Sequence, residues 1–420
     1  MPGLLLADSP EYLPGARDLA GRRSGGGLGG LTTAVVCLWF CNVPIYLGLM
    51  VFPWLTEIDC VAITVAVVGM DVLLTRGYEK QVAGGLLVWI GVLVLLNIGW
   101  FVARGGGDVS IVGVRLMFLM LMSVLYVAFA VLPRLAARVR RVLAWIAPLL
   151  VIVNIIDITN PALFVPLQSE FSHVGRAAGL FANPNQSGAA LVLCALLCAP
   201  LIASRWRWLY LSWLCVGIGL TGSRGAMLAF PICATGLAVA GRLYWSDLRR
   251  TLLVVAGAVL LAMALLPILA ESLGINPDVI SYRYSLAAEQ AGSSDASSTS
   301  ERVYLAERGM QQFHYSELLG NGVGSTEEWA ERTSTHNMYI MLASDFGVLG
   351  FLVLPALLIP FIGRGGGRAS LVVILFVLIW SLVSHNVLSE PYVLVALALV
   401  FAEQGVRRSV SSVWSAAEPN

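Results

Sequence analysis

Long apolar runs recur along almost the whole chain, and polar residues gather in the gaps between them. A helix that spans hydrocarbon needs about 20 mainly apolar residues. Runs of that kind lie near 31–52, 60–75, 82–103, 109–132, 142–160, 187–203, 207–221, 224–240, 251–270, 338–362, 369–388 and 392–404, the seventh, eighth and twelfth being the shortest. The alternating ten-residue pattern of an outer-membrane barrel is missing. The first run starts at Leu31 behind a Gly-rich stretch from Gly21 to Gly30. It is too long for a signal-peptide core and is not followed by a cleavage site and a soluble domain, so it reads as a retained helix. The pattern predicts an all-α polytopic membrane protein with about 12 transmembrane helices. A tail over 1–30 precedes helices 1–9 (31–270). A long hydrophilic loop over 271–337 follows, then helices 10–12 (338–404) and a second tail (405–420).

Composition removes the other classes. Hydrophobic residues make up 58% of the 420 positions, charged residues only 12%, and the mean hydropathy is +0.81. Soluble globular chains carry roughly a quarter of their residues as charges, and a disordered chain could not be this apolar. Nucleic-acid binding is excluded, because no basic domain or stripe is present to neutralise phosphates. All seven cysteines sit in or beside apolar runs, so no disulfide framework holds the long loop. Without a CxxC or Cys/His cluster there is no zinc pattern either, and the thiols read as buried structural groups.

Charge distribution sets an orientation. With the N-terminus inside, the inner segments hold 18 basic and seven acidic residues, against seven basic and 17 acidic in the outer ones. Basic residues prefer the cytoplasmic side, so both termini are expected in the cytoplasm and the 271–337 loop outside. The near-neutral total of +1 thus conceals two opposed faces. Arg115 and Asp71 fall inside predicted helices, where charges are functional candidates unless they snorkel to an interface.

Four outer segments depart from plain membrane sequence. In Gly175 to Ser187, Asn183 before Pro184 reads as an N-cap with proline in the first turn, opening the sixth helix. In Thr221 to Ala226, Ser223 can cap the eighth helix and leaves Arg224 in its first turn. Ser298 and Glu301 are spaced as a capping box ahead of an amphipathic helix through Val303, Leu305, Ala306, Met310 and Phe313. Gly292 to Ser298 before it reads as a flexible tract. Gly320 to Gly324 lacks the strand and the Lys-Ser or Lys-Thr of a nucleotide loop and reads as a turn. Ser334 to Tyr339 then leads into the tenth helix.

Every even-numbered helix would present its N-terminus outside, and three of those ends carry or adjoin Arg176, Arg224 and His336. Helix N-termini attract phosphate, and arginine adds a planar fork that matches phosphate oxygens. If these ends converge they form an anion pocket suited to a lipid diphosphate whose tail stays in the bilayer. The ordinary alternative is an interfacial arginine that snorkels to headgroups. All four histidines (His173, His314, His336 and His385) map to the outer side, and lone histidines usually serve packing. His336 differs, because a helix start disfavours the imidazolium and leaves a ring able to take a proton.

These segments, in this order over about 170–360, resemble the O-antigen ligase and polymerase superfamily of bacterial membrane glycosyltransferases. The resemblance rests on Arg176 with Gly179 to Asn185, Thr221 to Ala226, Ser300-Glu301-Arg302 with Leu319 to Gly324, and His336 to Tyr339 with Gly347 to Gly350. It implies a glycosyltransferase C-like fold with a catalytic periplasmic loop in the bacterial inner membrane. The donor would be a glycan on undecaprenyl diphosphate, and transfer would invert the anomeric centre with no metal or other cofactor. Arg176, Arg224 and Arg302 would engage the diphosphate, and His336 would act as general base. Asn183, Asn185 and Asn337 would orient backbone and helix ends. The acceptor would be lipid A-core for a ligase, a growing repeat for a polymerase or a protein hydroxyl for a protein glycosyltransferase. A single long outer loop favours the ligase. From another class, a lipid-linked oligosaccharide transporter would need charges along a mid-membrane path.

Overall fold

The computed structural model describes residues 28–74, 85–104, 109–160, 163–164, 176–181, 183–272, 302–326, 335–361 and 367–403. The terminal tails, the Gly292 to Ser298 tract, the Ser298/Glu301 capping box and His173 lie outside the described residues. Among the described residues every regular element is helical. In chain order these are α1 (Leu28–Phe40), α2 (Val43–Tyr46, continued by a π turn over Leu47–Val51), α3 (Glu57–Leu74), α4 (Gly85–Arg104) and α5 (Val109–Val131). Then come α6 (Pro133–Thr159), α7 (Pro184–Cys198), α8 (Ser204–Thr221), α9 (Arg224–Val239) and α10 (Trp245–Ser272). The last are α11 (302–315), α12 (Met338–Phe346), α13 (Val348–Val353), α14 (Arg368–Trp380) and α15 (Pro391–Glu403).

Four of the described helices are long and apolar enough to cross a membrane: α4, α5, α6 and α7 with its last turn. The bent pair α1–α2 makes a fifth candidate. Several apolar runs are less regular than hydropathy implies. The first bends by 67° between Phe40 and Val43, where Asn42 is left-handed at φ 61°. The run over 338–362 breaks at Gly347 (φ 69°) into α12, α13 and a 3-10 stretch over Pro355–Phe361. The run over 369–388 stops being helical at Trp380, and a turn over 381–390 precedes α15.

The bundle is built around α7. Every residue from Ser187 to Cys198 is buried, as expected of a helix that is apolar all round. It packs against α6, α8, α9 and α14. Small residues permit the close approach. A Cβ on Gly188 would meet Ala226 Cβ at 2.9 Å, and one on Gly217 would meet Val151 Cγ2 at 2.6 Å and Leu191 Cδ1 at 2.9 Å. The α15 helix is buried almost as completely, from Tyr392 to Ala402.

Polar pairs mark the two ends of the bundle. At one end Arg207 meets Asp247 at 3.4 Å and Arg140 meets Glu403. At the other, Arg115 of α5 pairs with Asp345 of α12 at 2.6 Å, and the Asp345 side chain is fully buried. Asp345 also accepts from the backbone N–H and hydroxyl of Ser325, at 3.1 and 3.0 Å. Gly320 to Gly324 forms a collar around the end of α12. Asn321 N–H donates to Ser344 O at 2.8 Å and Gly322 N–H to Asp345 O at 3.2 Å. A Cβ on Gly320, where φ is 69°, would lie 2.2 Å from Asp345 O, so only glycine fits. The collar is therefore the turn expected there, with a specific partner.

Breaking a buried ion pair by removing one member leaves an uncompensated charge and costs about 3–5 kcal/mol. Asp345→Ala should therefore destabilise the protein by about that amount in thermal melts. The double change Arg115→Met with Asp345→Leu should lose far less, since it leaves no charge behind.

Candidate functional site

The 176–179 stretch is stitched between the ends of α6 and α8. Asp157, in the last turn of α6, accepts from Ala178 N–H at 2.7 Å and Gly179 N–H at 2.9 Å. Ala177 N–H donates to Leu220 O at 3.0 Å. The stretch holds Arg176 half-buried over the end of α8. Its Nε donates to Thr221 O at 3.0 Å and its Nη2 to Asn185 Oδ1 at 2.9 Å. Gly222, left-handed at φ 58°, lies under this side chain, where an added Cβ would meet Arg176 Nε at 3.2 Å. Two residues further on, Arg224 opens α9 and is exposed.

Three helix starts face this end of the bundle, each with a side-chain cap. Asn183 accepts from Asn185 N–H ahead of α7, and Ser223 accepts from Ala226 N–H at 3.4 Å ahead of α9. Asn337 accepts from Tyr339 and Ile340 N–H at 3.0 and 3.2 Å ahead of α12. The caps at Asn183 and Ser223 are those the sequence predicts. At the third start the cap is Asn337. His336 stands just before it, half-buried and left-handed at φ 49°, a conformation that L residues other than Asn and Asp adopt at a cost.

The turn over 381–390 joins these starts. Met338 N–H donates to Ser381 O at 2.8 Å, tying α12 to the end of α14. Gly225 of α9 packs on the same turn, where an added Cβ would meet Trp380 Cζ3 at 3.1 Å and Val383 Cγ2 at 3.2 Å. The His336 and His385 rings meet edge to face at 5.3 Å. The turn is held from within by Glu390, which is 2% exposed. Its carboxylate accepts from Trp380 Nε1 and Ser384 Oγ at 3.0 Å each and from the Tyr392 hydroxyl at 2.5 Å. Burial pushes the pKa of this carboxyl up, and the three donors pull against it.

Arg176, Arg224, Asn183 and Asn185 thus form one group around the 221–224 turn. His336 and Asn337 form a second, joined to the first through Trp380 and the following turn. Arg302 reaches the site only through its helix. It is exposed at the start of α11, and two turns later Gly309 packs on Thr335 Cγ2 and Ile340 Cγ2, which flank His336. His314 lies elsewhere on α11, with Nδ1 2.6 Å from Glu317 Oε1. Sequence reasoning missed Asp157, Asp345 and Glu390. Asp157 and Glu390 are isolated acids at the edge of apolar runs and Asp345 lies inside one, and Glu390 before Pro391 is the one legible signal of a break.

The fold is that of a polytopic membrane protein, helical in every regular element among the described residues, and this end gathers Arg176 and three capped helix starts. Residues 209–355, about a third of the chain, match the family model of the O-antigen ligase family. The match supports the O-antigen ligase and polymerase superfamily to which the motifs are similar. It covers Arg224, Arg302, His336 and Asn337, whereas Arg176, Asn183 and Asn185 precede it. Among curated proteins and solved structures nothing matches the chain.

The left-handed backbone at His336 gives a test of the local geometry. His336→Gly should be more stable than His336→Ala by about 1 kcal/mol, because only glycine adopts this φ without penalty. Thermal melts of the two purified variants measure the difference. Equal stabilities would mean that the backbone at 336 relaxes.

Proposed function

We propose that the protein is an O-antigen-ligase-like glycosyltransferase of the bacterial inner membrane. It moves a glycan from undecaprenyl diphosphate to an acceptor hydroxyl on lipid A-core, at the periplasmic face. In this reading the chain crosses the bilayer about twelve times, both termini are cytoplasmic, and 271–337 is the periplasmic loop. The observation that carries the proposal is the seat of Arg176 over the 221–224 turn from which Arg224 opens α9, with the start of α7 beside it and His336 across the 381–390 turn.

The chemistry follows from what each group can do. The acceptor oxygen attacks the anomeric carbon as the bond from that carbon to the diphosphate oxygen breaks, which inverts the centre. His336 takes the proton of the attacking hydroxyl. The electron pair leaves with undecaprenyl diphosphate, and Arg176 and Arg224 offset the charge that develops on it. Thr221 O and Asn185 fix two edges of the Arg176 fork beforehand, so little reorganisation is needed as charge appears. Arg302, carried on α11 against Thr335, would close on the diphosphate from the loop. With positive groups fixed at the leaving group, the mechanism calls on no metal. The transporter reading is weakened because Arg115, an intramembrane charge that could serve such a path, is committed to buried Asp345.

Full-length protein in detergent with a lipid-linked donor and lipid A-core tests the reading. Transfer should survive chelation, fall about 10²–10⁴-fold in His336→Ala and persist in His173→Ala. Undiminished transfer in His336→Ala would remove the assigned base. In a deletion strain, a ligase leaves polymerised lipid-linked glycan that is absent from lipopolysaccharide. Single repeats on the core would instead identify a polymerase, and loss of protein glycosylation a protein O-oligosaccharyltransferase.

A further inference from the structure

Beside His336, on the side of α4 and α5, lies a cavity of about 220 Å³. One water occupies roughly 30 Å³ in the liquid, so the space takes a larger group. Most of its wall is apolar, contributed by α4, α5 and α12, and the polar groups on it are Asn97, Ser110, Arg115, His385, Asn386 and Ser389. Asn97 lies two turns before the end of α4, and Ser110 is the second residue of α5, so the cavity sits close to the same bundle end as His336.

Two of these groups carry a buried polar atom that is unpaired. Asn97 donates through Nδ2 to Leu93 O at 2.8 Å, but its Oδ1 has no partner. His385 Nδ1 is buried and has none either. Buried polar atoms are rarely left so, because the lost hydrogen bonds to water are not replaced. Both line the same space.

The chemistry of the wall selects the occupant. A cation would face the guanidinium of Arg115. An anion would face the Asn97 carbonyl, with Arg115 already neutralised by Asp345 at 2.6 Å. The His385 ring offers the space one buried, unpaired nitrogen, Nδ1. Neutral hydroxyls fit. One can donate to Asn97 Oδ1, and another can pair with His385 Nδ1 in either tautomer. The apolar wall suits the C–H faces of a sugar ring.

We propose that this cavity is the acceptor subsite, holding a neutral, hydroxyl-bearing sugar ring between Asn97 and His385 so that a hydroxyl of the acceptor is presented to His336. The role in transfer rests on the glycosyltransferase reading above, whereas binding of a saccharide does not. Asn97 and His385 would then set acceptor affinity and leave the donor diphosphate to Arg176 and Arg224.

Asn97→Leu and His385→Phe in the full-length protein, in a detergent free of sugar, test this in two ways. With lipid-linked donor and lipid A-core, each variant should raise the acceptor KM about tenfold or more and leave the donor KM unchanged. With methyl glucoside as probe, saturation-transfer NMR should show binding to the wild type and to Arg224→Ala, and loss of binding in both cavity variants. Asn97→Leu should also melt higher than the wild type without saccharide, because it removes an unmade hydrogen bond, so its loss of binding is not unfolding. Saccharide binding that depends on Asn97 and His385, without glycan transfer, would uphold the subsite and sink the reaction. Transfer with acceptor KM unchanged in both variants, or no saccharide signal from the wild type, would overturn the subsite and leave the reaction standing.

Discussion

A backbone that leaves the helix at the edge of a bilayer keeps donors and acceptors that no lipid can satisfy. The rest of this structure depends on how the chain meets that constraint at one end of the bundle. Where α8 stops, the side chain of Arg176 takes the carbonyl of Thr221. Where α12 stops, the collar from Gly320 to Gly324 takes the carbonyls of Ser344 and Asp345. Where α14 stops, the N–H of Met338 takes the carbonyl of Ser381, and Glu390 gathers the side chains of Trp380, Ser384 and Tyr392. Each break must be closed by polar groups, and those groups bring the candidate chemistry together.

The two bundle ends use charge differently. Arg207 with Asp247 and Arg140 with Glu403 cross-link helices at the end away from His336. At the His336 end, Arg115 is matched to Asp345, while Arg176 rests on a carbonyl and an amide oxygen. Thr221 O and Asn185 Oδ1 thus fix the direction of the Arg176 guanidinium.

Elements governed by local rules were legible in the sequence. The apolar runs located the helices, and Asn183 and Ser223 named their caps, because capping spans only three residues. Features set by distant partners were not. Gly320 to Gly324 reads as a turn, but its contact with Asp345 needs the fold. Arg115 stood out as an intramembrane charge, yet its partner lies 230 positions away. The turn over 381–390 was absorbed into an apolar run, since Val383, Val387 and Leu388 raise the average around His385. His336 was found at a helix start, but its left-handed backbone is a property of the assembled site.

The burial of α7 has a consequence for the membrane itself. From Ala189 to Ala199 this central helix carries only Ala, Leu, Val and Cys side chains, all buried. An axis without polar groups gives ions no stepping stones, and small residues at its contacts leave little room for a file of water. Such a core offers no polar path along the α7 axis, and the described ion pairs gather toward the ends of the bundle.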